Sequence, residues 1–172
     1  MRLTFIQRDA DVLYRVVPVA SGLVAVLLSV VPLNVPGLAM ATPAFALMVV
    51  YHWTVYRPDL MSPGIVFITG VLLDLMEGTP YIGVSPLTFL IVRSLILLVR
   101  QRAANQSFAV VWAGFLVAAI VAIGLQWLAV SALSMTVLSV RPFAFQILVT
   151  VAAYPIADYL LAQAQRGLLR RA

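Results

Sequence analysis

PAFALMVVYHWTVYRPDLMSPGIVFITGVLLDLMEGTPYIGVSPL, residues 43–87, holds two apolar runs punctuated by short polar breaks. The first reads as a helix over 42–56. Pro43 sits where a missing N–H costs nothing, in the first turn, and Arg57-Pro58-Asp59 ends the run. The second covers 63–77 and is stopped by Gly78 and Thr79-Pro80. This second run and the next one, 86–99, are short for a bilayer, so tilt, local thinning or extension into the flanks is expected of them.

The rest of the chain follows the same pattern. Four further apolar segments fall at 16–33, 86–99, 108–130 and 143–161, and a Ser-rich apolar stretch after the fifth reads as a short interfacial helix. Of 172 residues, 63% are hydrophobic and only 10% charged. A soluble domain carries roughly 25% charged residues, so lipid must be the solvent for most of this surface. About 20 apolar residues cross a hydrocarbon core, and six crossings consume most of the chain. The expectation is a single all-α domain: an integral membrane bundle of about six transmembrane helices. Ala39-Met40-Ala41 has the form of a signal-peptidase site, but it lies beyond a run longer than a signal core, so the first segment reads as a retained span.

Function classes fall away quickly. Without cysteine there is no disulfide or thiolate chemistry, and His52 is the single histidine. No Walker lysine, nucleophile elbow, HExxH or catalytic carboxylate pair is present. The net charge of +5 comes from eleven arginines scattered between apolar runs, which fits topology better than phosphate binding. Arg2, Arg8, Arg15, Arg57, Arg100, Arg102, Arg166, Arg170 and Arg171 fall on one set of alternate loops and termini; Arg141 alone falls on the other. The positive-inside rule then places both termini in the cytoplasm, which requires an even number of spans.

Three ionisable residues lie within apolar runs: Asp74, Arg93 and Asp158. Each should face the bundle interior and have a partner, because a charge at mid-membrane costs roughly 2.5–3.5 kcal/mol on insertion scales. Arg93 can snorkel toward Asp74 or Asp158; a structural pair and a coupling-ion site are the competing readings. Gly70, Asp74 and Gly78 share one face of the third helix, and Ser21-Ala25-Ser29 and Gly114-Ala118-Ala122 form small-residue stripes suited to close helix packing. Tyr51, Trp53 and Tyr56 read as an interfacial aromatic belt, with His52 hydrogen-bonded among them, and Trp127 marks the other interface.

The stretch from Pro43 to Arg93 resembles the MreD family of rod shape-determining membrane proteins. Pro43, Trp53, Pro58, Gly64, Gly70, Asp74, Gly78 and Gly83 fall on the family's recurring positions, and Gly70-x-x-x-Asp74-x-x-x-Gly78 is the most specific part. Asp59 stands where members often carry a basic residue, and the Gly78-to-Gly83 turn is one residue longer than the usual form. The resemblance implies a non-enzymatic component of the bacterial cell-elongation machinery in the inner membrane, without cofactor. Its implied partners are MreC, a single-span protein, and through the complex RodA, a penicillin-binding transpeptidase and MreB filaments. It also implies a fold similar to the S-components of energy-coupling-factor transporters. That likeness supplies the rival reading, a vitamin-binding subunit with Asp74, Glu77 and Thr79 lining an outward pocket.

Overall fold

The computed structural model describes residues 3–30, 42–103 and 107–169, with side chains for 16–30, 42–99 and 107–165. The described residues form six helices and no strand: α1 (Leu3–Val30), α2 (Phe45–Tyr56), α3 (Pro63–Glu77), α4 (Val84–Ala103), α5 (Phe108–Leu133) and α6 (Arg141–Leu169). Two of them, α5 and α6, are long and apolar enough to cross a membrane.

Four helices are longer than their apolar segments. The first segment, 16–33, is the latter part of α1, whose residues 31–33 lie outside the described ones, as do the 32–37 linker and Ala39-Met40-Ala41. In contrast, α2 starts late: Pro43 and Ala44 precede it, and the Ala44 N–H donates to Thr150 Oγ1 on α6 at 3.0 Å. A cross-helix hydroxyl thereby replaces the missing side-chain cap. The Ser-rich stretch after α5 is a turn, not a helix. Met135 adopts φ 51 there, and Trp127 Nε1 donates to the Leu138 carbonyl at 3.1 Å.

Helix α2 is the central element. Ten consecutive residues, Ala46–Val55, are buried, since α2 packs against all five other helices. Tyr51 and Trp53 are therefore core residues rather than a belt: Trp53 Nε1 donates to Ser21 Oγ on α1 at 2.9 Å, and Tyr51 OH to the Val111 carbonyl on α5 at 2.9 Å. The phenol lies over Gly114, where a Cβ would sit 2.6 Å from its oxygen. Ala118 and Ala122 continue that buried seam, and Ala25 and Ser29 are likewise buried on α1.

Pro155 would normally break α6, because it leaves the Val151 carbonyl without its i+4 donor. The helix continues, and Trp112 Nε1 of α5 supplies the donor at 3.1 Å. Proline and tryptophan thus lock α5 to α6.

The closest approach is between α3 and α4. A Cβ on Gly70 would lie 2.5 Å from Pro86 Cα. Pro86 is tolerated because it stands in the first turn of α4, where N–H groups have no helical acceptor. Gly70→Ala should cost about 1–3 kcal/mol by forcing the backbones apart. Gly64→Ala, at an exposed position meeting nothing closer than Ser62 Oγ at 3.9 Å, should be neutral or stabilising. Detergent-solubilised melting curves of the two variants check the contrast.

Candidate functional site

Asp74 is buried at 1% exposure near the end of α3. Its Oδ2 accepts from the Gly83 N–H at 2.7 Å and the Ser85 N–H at 3.4 Å. One helix's carboxylate therefore caps the amide terminus of the next, satisfying orphan donors and opposing the positive end of the α4 dipole. Around it, Gly78 takes the left-handed conformation (φ 63) that ends α3 and returns its N–H to the Asp74 carbonyl, which Thr79 N–H also reaches at 3.2 Å. Gly83, at φ 112, needs glycine for the turn into α4. Gly70, Asp74, Gly78 and Gly83 thus serve one clamp holding the α3–α4 hairpin.

Arg93 is not brought to Asp74. Its Nε donates to the Met61 carbonyl in the α2–α3 turn at 2.9 Å, closing that turn against the middle of α4. Pro58 is buried in the same turn, and its carbonyl accepts from Met61 N–H at 3.2 Å. Gly64 is exposed just inside α3, after the Ser62 cap and Pro63 at N1.

Asp158 does not meet Arg93 either. Its Oδ1 lies 2.7 Å from His52 Nδ1 and accepts from Tyr154 OH at 3.1 Å. His52 is core, not interfacial, and its Nε2 is buried without a partner. The Tyr154 ring stacks on Phe115 at 4.0 Å, with Tyr51 edge-on to both. This polar group joins α2 to α6 inside an aromatic shell. The sequence held His52 and Asp158 but gave no register between two helices 106 residues apart.

Two concavities remain. An apolar groove of about 530 Å³ runs between α1 and α6 over α2, with Ala20, Ala25, Ala153 and Ala157 on its walls and Phe45 and Val49 on its floor. A pocket of only about 40 Å³ lies at the α3–α4 turn end, where Ser29, Glu77, Gln126 and Gln146 converge. Among the described residues no three His, Asp or Glu side chains cluster as a metal would require.

These features define an all-helical bundle whose buried polar groups cap and fasten helices, with an open apolar groove along one side. Residues 10–163 match the family described as rod shape-determining protein MreD, and the chain belongs to that family. It is a shape-determining family, not a known enzyme family. No curated protein and no solved structure matches the chain.

Two variants probe the clamp and the polar group. Asp74→Ala should cost about 0.5–2 kcal/mol, the value of a helix cap, and the double exchange Asp74→Arg with Arg93→Asp should not restore what each single change loses. A double-mutant cycle of His52→Phe and Asp158→Leu should give a coupling of about 1–3 kcal/mol, since removing one partner strands the other in the core. Unfolding in detergent measures both; additivity in the second cycle would show that the contact contributes no coupling.

Proposed function

We propose that the chain is a non-enzymatic scaffold of the bacterial cell-elongation complex, crossing the inner membrane six times with both termini cytoplasmic. Its direct partner is an MreC-like single-span protein; RodA, a penicillin-binding transpeptidase and, indirectly, MreB filaments belong to the same assembly. Family membership supports the shape-determining role. Support for embedding all six helices comes from the outer surface: large apolar side chains are exposed on every helix except the central α2, among them Leu27, Ile68, Leu98, Val117 and Leu148. Water would not tolerate that continuous apolar coat on a monomer. The nine-to-one distribution of loop arginines supports the orientation.

The observation that carries the scaffold reading is the α1–α6 groove. Small residues on facing walls let a helical backbone approach closely, and a lipid-facing helix associates through such packing rather than through hydrophobicity. An added single helix would lie on Phe45 and Val49 between two alanine-lined walls.

The vitamin-binding alternative finds less support. A drug-sized ligand needs roughly 300 Å³ or more, and the polar pocket near Glu77 has about 40 Å³. Asp74, its strongest candidate ligand, is committed to α4 amides.

Ala157→Trp should fill the groove and reduce copurified MreC about tenfold, on the scale of losing one well-packed hot spot. Val117→Trp, on an exposed face of α5, should leave it unchanged. Tagged protein extracted in mild detergent and quantified by mass spectrometry tests this. Recovery of an ATPase module in place of MreC would sink the scaffold reading. Separately, Asp59→Cys should be labelled only from the cytoplasmic side if the six-span topology holds.

A further inference from the structure

The helices flanking α3 overrun it at the end where the α2–α3 turn lies. Gly70 touches Pro86, so counting seven residues along each antiparallel helix puts Arg93 opposite Pro63, the first residue of α3. The Arg93–Met61 bond of 2.9 Å agrees with that register. Beyond Arg93, α4 continues to Ala103, ten more residues or about 15 Å. Gly22 of α1 lies against Thr69, so α1 passes the start of α3 by a similar count and continues to Leu3. The turn, with Arg57, Asp59 and Ser62 exposed, is therefore the floor of a recess walled by two longer helices. On the α4 side the sequence past the turn runs Leu95-Ile96-Leu97-Leu98-Val99, an apolar run that ends at Arg100.

Arg93 is half-buried at that floor and makes one hydrogen bond, through Nε. Asp74 and Asp158 are held elsewhere, and no carboxylate among the described residues forms an ion pair with it. Its terminal guanidinium nitrogens keep their donors. One turn above, Phe67 and Ile68 of α3 are exposed apolar surface.

We propose that this recess binds one anionic phospholipid of the inner leaflet, its phosphate on the Arg93 guanidinium and its acyl chains along Phe67 and Ile68. The planar fork suits phosphate oxygens, and the recess draws the headgroup below the general bilayer surface. The apolar strip on α3 favours a lipid over free phosphate. The leaflet rests on the topology proposed above; the site itself does not, because the map below needs no assigned side.

The test places the full chain in phosphatidylcholine nanodiscs doped with a phosphatidylglycerol analogue carrying a diazirine near its headgroup. Adducts should concentrate on residues 57–64 and 93–97, saturate at one lipid per chain and yield to unlabelled phosphatidylglycerol but not to inorganic phosphate. Adducts spread evenly over the lipid-facing helices would overturn the site, and displacement by inorganic phosphate alone would overturn the lipid assignment. Arg93→Gln should lower retained phosphatidylglycerol about tenfold, the scale of one lost charge-assisted hydrogen bond, while Arg93→Lys, which keeps the charge without the fork, retains an intermediate amount. Unchanged retention in Arg93→Gln would also overturn the proposal. If Arg93→Gln fails to fold because the turn opens, the wild-type adduct map decides.

Discussion

The Asp74 carboxylate sits 2.7 Å from the Gly83 amide, and the α3–α4 hairpin is organised around that contact. A buried amide left without a partner costs about 1–3 kcal/mol. A carboxylate brought from the preceding helix answers the donors at the start of α4. It can reach them only because Gly70 lets the two backbones touch at Pro86 and because Gly78 and Gly83 make the connecting turn. Once α3 and α4 are held in that register, Arg93 falls opposite the start of α3 and closes the other end of the helix against Met61. Two polar contacts on either end of a 15-residue helix thereby fix the placement of the whole hairpin.

The same rule recurs elsewhere. Three polar breaks among the described residues are answered by a neighbouring helix: Thr150 for the uncapped start of α2, Trp112 for the carbonyl freed by Pro155, Ser21 for the Trp53 indole. These bonds carry more specificity than stability, since apolar side chains gain little from one another in lipid and packing alone leaves helix register loosely determined. His52 Nε2 is the conspicuous exception, buried and unanswered beside a carboxylate. It lies at the α2–α6 junction, and the alanine-lined groove runs alongside, bordered by Val49 one turn from His52 and by Ala157 next to Asp158.

Much of this architecture was legible in the residues. The break at Arg57-Pro58-Asp59 ends α2, and Pro63 and Gly78 bound α3 to the residue, because proline and glycine act locally and their effect needs no tertiary information. Of Gly70, Asp74 and Gly78, spaced for one face, the first two are buried there and Gly78 is the exposed left-handed cap that ends α3. What that spacing could not supply was the partner: Asp74 and Arg93 are opposite in charge and near in sequence, which favours an ion pair on paper, yet the acceptor found backbone amides and the donor a backbone carbonyl. A search restricted to charged side chains overlooks both. The aromatic cluster misled for a related reason. Tyr51, Trp53 and Tyr56 have the composition of an interfacial belt, but α2 is surrounded on all sides, so two of them are core. Burial of a central helix is a property of the bundle, and no period within twelve residues reports it.

The shortness of α2 and α3 then takes on meaning. Helices of 12 and 15 residues rise about 18 and 22 Å, less than a 30 Å hydrocarbon core, while α1, α4, α5 and α6 exceed or match it. A bundle could absorb the mismatch by tilting the short pair, but the Gly70–Pro86 contact ties α3 closely to α4 and limits independent tilt. With one end of α3 fixed at the Asp74 clamp, its 15 residues stop short of α1 and α4 at the α2–α3 turn. Under the six-span topology proposed above, that turn lies below the general bilayer surface, and the half-buried Arg93 is the charge it brings there. Length and clamp are in this way one constraint: fixing the hairpin at one end determines where the short helix stops at the other.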